Sequence, residues 1–309
     1  MVLYVSIFYN YNLFSLGEEF RVLTYLKGIE TARALKQTGA KVFVTVRDLQ
    51  KGRKALEVLL EDGQVELLEL RLDSLASVRA CSEAFKSRSS KLNILINNAG
   101  IMAVPTRTLT EDGYESHFGT NHLGHFLLFQ LLKPLLLSSS TEDFNSRVVN
   151  VSSSGHRSCS INFEDPTLGG EGIYNPWAAY GQSKLANILM ANEIEKRYSN
   201  QGLHAWSLMP GYIATGLQVH VSDAVANVEE RLLKAMKSPE QGAATSVWAA
   251  VDKGLEGQGG KYLENVQVSQ AWDKSWIYGP GYGEGSYDEN AAKKLWDLSN
   301  GLVAFEKTH

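Results

Sequence analysis

Apolar positions along the chain switch repeatedly between helical and extended periods. Ile29 to Gln37 carries helical spacing and ends at Gly39, a C-terminal cap; Val42-Phe43-Val44-Thr45-Val46 then reads as a strand apolar on both faces. The alternation continues as a helix over Leu49 to Leu60, a strand over Val65 to Leu70, a helix over Leu75 to Ser87 and a strand over Leu92 to Ile96. A long helical region follows from about Glu111 to Leu137, then a strand from Arg147 to Val151, a helix from Ala178 to Tyr198 and a strand from Leu203 to Leu208. The pattern closes with a helix that starts at Pro239, a favoured first-turn residue, and runs to about Asp252, and with a short strand near Lys261 to Leu263. Strands alternating with helices predict an α/β fold: a doubly wound parallel sheet covered on both faces. Such sheets bind ligands beyond the carboxyl ends of their strands.

The amino-terminal stretch departs from this rhythm. Met1 to Leu16 is apolar and aromatic, which raises a membrane anchor or signal sequence, but Ser6, Asn10 and Asn12 interrupt it and no basic residue precedes it. It also falls short of the ~20 apolar residues a span needs, so a membrane role is not favoured. Phe20 to Leu23 is a candidate partial first strand.

Composition narrows the function classes. At 309 residues and 44% hydrophobic content the chain can bury a large core, and it has no linker, charge block or internal repeat to divide it. Residues 1–27 therefore read as an atypical amino-terminal segment, and 28–309 as a single domain with a lid at about 212–240 and a tail at about 264–309. The net charge of -4 without clustered Lys or Arg offers no footprint for nucleic acid. Cys81 and Cys159 form neither a metal spacing nor a disulfide framework, and the His residues are scattered, so no metal site is expected and a reducing intracellular, cytoplasmic setting fits.

The candidate chemistry centres on Ala179-Tyr180-Gly181-Gln182-Ser183-Lys184, where Tyr180 and Lys184 lie four residues apart on one helical face. A phenol titrates near ~10, and an ammonium one turn away favours the phenolate and draws that value toward the working pH. A Tyr and a Lys at this spacing also arise by chance, so the surroundings matter. Asn97-Asn98-Ala99-Gly100 follows one strand directly, Ser152-Ser153-Ser154 follows the next, and Pro210-Gly211-Tyr212-Ile213-Ala214-Thr215 follows a third. Singly these fit an Asn/Gly turn, a polar loop and a rigid turn. Asn121 and Gly124 stand inside a predicted helix, where both are unfavourable, which signals a local need that outweighs propensity.

Together these motifs resemble the short-chain dehydrogenase/reductases, and within them the retinol-dehydrogenase-like branch with many fungal and plant members, from about Gly28 to Val303. The resemblance implies a Rossmann-type fold and an oxidoreductase moving a hydride between a nicotinamide cofactor and an alcohol or carbonyl. It implies Tyr180 as general acid/base, Lys184 as the group that lowers its pKa and holds the nicotinamide ribose, Ser153 as hydrogen-bond partner of the substrate oxygen, and Asn121 as holder of a water in a proton relay. It also places Asn97, Asn98, Ala99 and Gly100, the turn Pro210-Gly211, and Ile213 and Thr215 along the cofactor, with Asp73 at the adenine.

At the end of the second strand an acid would hold the ribose hydroxyl of NAD, whereas an Arg accommodates the phosphate of NADP. Arg47 stands there, with Lys51 as support, so NADP(H) is favoured over NAD(H); in the competing reading Asp48 serves the ribose. The family's glycine motif TGxxxGxG is degraded: with Gly28 aligned to its last glycine, Arg21, Val22 and Leu26 replace the threonine and two glycines. Two functions follow: an NADP(H)-dependent enzyme acting on a small to medium hydrophobic alcohol or carbonyl, or a catalytically impaired member of the fold acting as a binding or partner protein. An epimerase or dehydratase using the same Tyr and Lys needs a separate substrate domain, for which the tail is too short. Val219, Val221, Val225, Leu232 and Met236 are candidate lid residues and Trp177 a candidate pocket residue; oligomeric state is not legible.

Overall fold

The computed structural model describes residues 1–6, 18–213 and 236–304. Its elements are β1 (Val2–Ser6), α1 (Glu18–Lys36), β2 (Lys41–Val46), α2 (Leu49–Ala55), α3 (Glu57–Leu60), β3 (Val65–Glu69), α4 (Leu75–Lys86) and β4 (Ile94–Asn97). There follow α5 (Gly124–Ser139), β5 (Ser146–Val151), α6 (Pro176–Tyr198), β6 (Leu203–Met209), α7 (Pro239–Val251), β7 (Tyr262–Glu264), β8 (Gln267–Val268) and α8 (Glu289–Leu302). They build one eight-stranded sheet of order β3-β2-β1-β4-β5-β6-β7-β8, parallel throughout except for the antiparallel β8. The strand order reverses between β1 and β4, which opens a crevice at their carboxyl ends.

The sheet alternation seen in the sequence sorts side chains onto two cores. Tyr4, Phe43 and Leu95 face Phe126, Phe129, Leu185 and Trp296 on one side; Leu3, Val5, Val42, Val44 and Ile96 face Ile29, Ala32 and Ala249 on the other. Each buried Val, Leu, Ile or Phe among these contributes roughly 1.5–3 kcal/mol by leaving water.

Several expectations need correction. The first strand is Val2–Ser6, not Phe20 to Leu23, which lies in α1. β1 pairs in parallel with both β2 and β4, Leu3, Tyr4 and Val5 are fully buried, and Tyr4 Oη lies 3.1 Å from Cys81 Sγ in a hydrogen bond. Part of the stretch that raised a membrane anchor is thus the centre of the sheet, and among the described residues no helix is long and apolar enough to cross a membrane. Second, α1 begins at Glu18, so Gly28 is inside the helix rather than before it. Third, the helix expected from about Glu111 starts only after Glu115: Gly113 adopts a φ of +85°, Thr110 and Tyr114 close a turn, and the Glu115 carboxylate accepts from the N–H groups of His117 and Phe118 as a helix start. The predicted helix over Leu49 to Leu60 breaks at Leu56 into α2 and α3.

The expected lid falls largely on residues 214–235, which lie outside the described residues together with Thr215, Val219, Val221, Val225 and Leu232. In the tail, β8 and α8 carry no counterpart in the sequence reading. Between them the chain is tied to the loop after β5: Arg157 Nε donates to Gly281 O (2.9 Å), and the Gly283 N–H donates to His156 Nε2 (3.0 Å).

Candidate active site

Tyr180 and Lys184 are carried into the molecule by the first turns of α6. Asn175 caps that helix by accepting from the N–H groups of Trp177 (2.9 Å) and Ala178 (3.0 Å), and Pro176 fits the first turn, where no amide is needed. The next residues pack tightly against the turn after β5. A Cβ on Gly181 would lie 2.2 Å from Cys159 Sγ and 2.5 Å from Gly155 O, so only glycine permits this approach. Tyr180 and Lys184 are both buried, whereas Trp177, just before them, is half exposed.

Lys184 Nζ donates to Val151 O (3.1 Å) at the carboxyl end of β5 and lies 5.7 Å from the Tyr180 ring centroid. Burial pushes the Tyr180 phenol up to about 12, opposed by a side-chain hydrogen bond with Ser153, and burial lowers Lys184 to about 8. The expectation that Lys184 draws the phenol downward is therefore not met. Desolvation of the phenolate prevails, and the ammonium hydrogen-bonds the backbone instead of the phenol oxygen.

Asn121 sits where the chain forms a π-helical turn, Phe118–Leu123, immediately before α5. The local need inferred from an Asn in mid-helix is visible: Asn121 Oδ1 accepts from the Ile101 N–H (2.8 Å), and its Nδ2 donates to Ile101 O and to Ser183 Oγ (both 2.9 Å). The side chain bolts the loop after β4 to α6. Gly100 leaves the space this requires, since a Cβ there would stand 3.0 Å from Asn121 Oδ1 and 3.2 Å from Lys184 Nζ. The structure thus brings Asn121, Ser153, Tyr180 and Lys184 to one place at the carboxyl edge of β4 and β5.

The other predicted residues line the same edge. Asn97, Asn98, Ala99 and Gly100 follow β4, with Asn97 Nδ2 donating to Asn150 Oδ1 (2.8 Å) and Asn97 Oδ1 buried without a hydrogen-bond partner. Pro210, Gly211 and Ile213 follow β6, where Gly211 has a φ of +105° and Ile213 is buried and bridged to Lys237. At the far end, Arg47 after β2 lies within electrostatic range of Asp73 and Arg71, both after β3. Arg71, which sequence reasoning missed, pairs with Asp73 (3.6 Å) and with Glu111. Asp48 caps α2 by accepting from the N–H groups of Gln50 (2.9 Å) and Lys51 (3.0 Å), and pairs with Lys51 Nζ (3.6 Å).

Sequence reasoning also missed the pair Glu115 and His117. Both side chains are fully buried; His117 Nδ1 lies 2.8 Å from Glu115 Oε1, and its Nε2 accepts from the Val104 N–H (3.2 Å), so the proton sits on Nδ1. The His117 ring stands edge-on to Tyr180, with centroids 6.2 Å apart. Tyr174 donates to Val104 O (2.6 Å), and the loop after β4 is thereby held at both faces. Among the described residues no group of three or more His, Cys, Asp or Glu side chains could hold a metal ion.

A doubly wound sheet with polar side chains gathered at its switch point defines a ligand-binding α/β protein of the Rossmann type. Comparison with known proteins gives the family. The family model for short chain dehydrogenases matches residues 27–165. The short-chain dehydrogenase/reductase prx1 of Penicillium roqueforti is 51% identical over 275 residues, covering 88% of this chain and 80% of that protein. Retinol dehydrogenase 11 of Mus musculus is 37% identical over 279 residues, covering 89% and 82%. The crystal structure of an uncharacterized protein from Mycobacterium paratuberculosis is similar with a TM-score of 0.71 at 33% identity, over 98% of this chain and 93% of that one. The chain belongs to the short-chain dehydrogenase/reductase family, in its retinol-dehydrogenase-like branch, and is an oxidoreductase whose fold binds NAD(P).

Proposed function

We propose that this protein is an NADP(H)-dependent dehydrogenase/reductase that interconverts a small to medium hydrophobic alcohol and its carbonyl compound, with Tyr180 as general acid/base. The observation that carries this reading is the convergence of the buried Tyr180, Lys184 and Asn121 with the partly buried Ser153 at the switch-point edge. The residues fit a nicotinamide dinucleotide along most of its length. Lys184 Nζ and the partnerless Asn97 Oδ1 are hydrogen-bonding groups turned to the crevice end of the strands, Gly100 keeps that end open, and the cations Arg47 and Arg71 suit a ribose phosphate better than the engaged Asp48 suits a ribose hydroxyl. One part does not fit: the Gly28 amide lies inside α1 and is spent on the helix's own hydrogen bonds.

When bound, the nicotinamide supplies or accepts the hydride. The protein's part is placement and proton handling. In reduction, Ser153 and Tyr180 donate hydrogen bonds to the oxygen on which charge develops, and the phenol, protonated at neutral pH because burial holds it at about 12, delivers its proton. Lys184, charged below about 8 and 5.7 Å from the Tyr180 ring centroid, holds the nicotinamide ribose in this reading. Asn121 keeps the loop after β4 against α6, so that Gly100 and Lys184 stay in register. Oxidation runs the same path backwards. The lid at about 212–240 and the tail at about 264–309 of a single domain cover the substrate in this reading, and the free thiols Cys81 and Cys159 suit an intracellular, cytoplasmic setting.

The test is nucleotide titration by fluorescence followed by turnover. NADPH should bind more tightly than NADH, and Tyr180→Phe should lose turnover by about a thousandfold while NADPH binding stays within about threefold. Retained activity in Tyr180→Phe would overturn the mechanism. A folded chain that binds neither nucleotide would favour the second reading, a non-catalytic binding protein, which the enclosed Gly28 amide supports.

A further inference from the structure

The turn that presents Ser153 is held from behind by a histidine outside the catalytic cluster. Ser153 has an extended backbone and caps the 3-10 turn Ser154–Ser158, its Oγ accepting from the Gly155 N–H (3.2 Å). That bond uses an acceptor lone pair and leaves the hydroxyl proton for the Tyr180 oxygen or for a substrate oxygen. The same turn bears on the Tyr180 ring: a Cβ on Gly155 would lie 3.1 Å from Tyr180 Cε1 and 3.7 Å from Ser153 Oγ. The placement of this turn therefore sets how the serine hydroxyl and the phenol stand to each other.

His156 is buried, and its Nδ1 lies 2.5 Å from Ser153 O while its Nε2 accepts from the Gly283 N–H (3.0 Å). A carbonyl only accepts and an amide N–H only donates, so the ring is the neutral tautomer with its proton on Nδ1. Burial lowers His156 to about 4, which keeps it neutral at working pH. Its ring also packs on Tyr262, with centroids 5.0 Å apart. The Ser153 carbonyl already accepts from the His156 N–H (3.2 Å) to close the turn, and the imidazole brings a second donor to the same oxygen. That donor is anchored in turn by the carboxyl-terminal loop, which has little freedom to yield. The Gly281 carbonyl accepts from Arg157 Nε (2.9 Å) and its N–H donates to Glu264 Oε2 (2.8 Å), while the buried Arg157 and Glu264 side chains stand 3.7 Å apart. A Cβ on Gly283 would lie 2.8 Å from Arg157 Cα, so the two backbones touch directly.

We infer that His156 is a positioning residue whose imidazole ties the Ser153 backbone to the carboxyl-terminal loop at Gly283 and so fixes the Ser153 hydroxyl against the Tyr180 phenol. The inference rests on the proposed function, because the substrate oxygen held between Ser153 and Tyr180 is what feels a displacement of the turn. Donors aimed at a developing charge help only when they need not move at the moment of reaction. A misplacement of about 1 Å costs on the order of a hundredfold in rate. An apolar ring would fill the space of His156 equally well; two hydrogen bonds to backbone on opposite sides are what a histidine adds. The loop around Gly281 and Gly283 is then part of the scaffold of the site.

The experiment measures NADPH-dependent turnover of octanal, benzaldehyde and acetophenone by wild-type protein, His156→Asn, His156→Gln and His156→Phe, each also in a Ser153→Ala background. An Asn amide nitrogen stands where Nδ1 stands and serves Ser153 O; a Gln amide reaches the place of Nε2 and serves the Gly283 N–H. His156→Phe and His156→Gln should lower kcat about thirtyfold while KM and NADPH affinity stay within about threefold, because the charge on the oxygen develops only in the transition state. His156→Asn, which keeps the donor to Ser153, should hold kcat within about fivefold of wild type. In the Ser153→Ala background His156→Gln should add less than about a twofold further loss, since the group it positions is gone. Wild-type kcat in the Phe and Gln variants, equal losses in Asn and Gln, or losses that multiply in the Ser153→Ala background would each overturn the inference, as would an Nε2–H tautomer of His156 by nitrogen-15 NMR. Were His156→Phe to misfold, the Asn and Gln pair carries the comparison. Turnover that ignores His156 removes this inference alone, whereas wild-type protein that reduces none of the three carbonyl compounds removes the oxidoreductase reading together with it.

Discussion

Lys184 meets three charged or titratable groups: Tyr180 one turn before it on α6, His125 on α5 and Lys27 on α1. Burial together with the Lys184 charge holds His125 down to about 3, so the imidazole is neutral through the working range. Tyr180 stays a phenol up to about 12. The groups that change charge near neutrality are the two lysines, Lys27 at about 7 and Lys184 at about 8, both lowered by burial, hence cationic below those values and neutral above them. The kcat/KM for NADPH reports groups of the free enzyme. It should therefore fall from about pH 8 upward as Lys184 loses its charge. A profile flat to about pH 9 would show that the Lys184 ammonium does not serve the cofactor.

At the scale of elements, the site depends on how the helical segment that leads into α5 begins. A helix start needs its first amides satisfied, and here one buried carboxylate does it: Glu115 accepts from the His117 N–H (2.9 Å), the Phe118 N–H (2.9 Å), His117 Nδ1 (2.8 Å) and Ser116 Oγ (3.2 Å). Hydrogen bonding to His117 keeps the Glu115 carboxyl below the ordinary glutamate range despite the opposing effect of burial. His117 passes the constraint on to Val104 and so to the loop after β4. Glu115→Ala strands several buried donors at once and should cost about 3 kcal/mol in urea unfolding, with a raised KM for the carbonyl substrate as the loop loosens. Glu115→Gln, which keeps acceptor oxygen but lacks the charge, should fall between. An unchanged unfolding midpoint in Glu115→Ala would mean that the helix start is held by something else.

For the molecule as a whole, the decisive element is the strand made by the first six residues. β1 pairs with β2 on one side and β4 on the other and buries Leu3, Tyr4 and Val5 completely. Without it the sheet splits at its centre into two parts, each with an open edge, and those three side chains alone forfeit roughly 1.5–3 kcal/mol apiece. A chain lacking residues 1–6 should be protease-sensitive and show no cooperative thermal transition by circular dichroism. A folded truncated chain with an unchanged midpoint would show that β1 is dispensable.

Local periodicity was enough to determine the alternating sheet from β2 to β7, because each strand's apolar run and each helix's stripe is written in neighbouring residues. Candidate chemistry was legible for a related reason: Asn97 and Ser153 belong to short motifs at strand ends, Asn121, Tyr180 and Lys184 to short helical motifs, and the sheet delivers strand ends to one edge. Tertiary structure alone decided what depends on distant partners. Val2–Ser6 looks like an anchor until β2 and β4 are beside it, and α8 becomes a helix with a purpose when Leu295 and Trp296 meet the core of α5 and α6. Glu115, His117 and Arg71 bear on the site through residues that sequence separation hides. Short-range pattern fixes which face of an element is apolar; only packing fixes which titratable groups are taken out of water, and that is what governs the titration of this site.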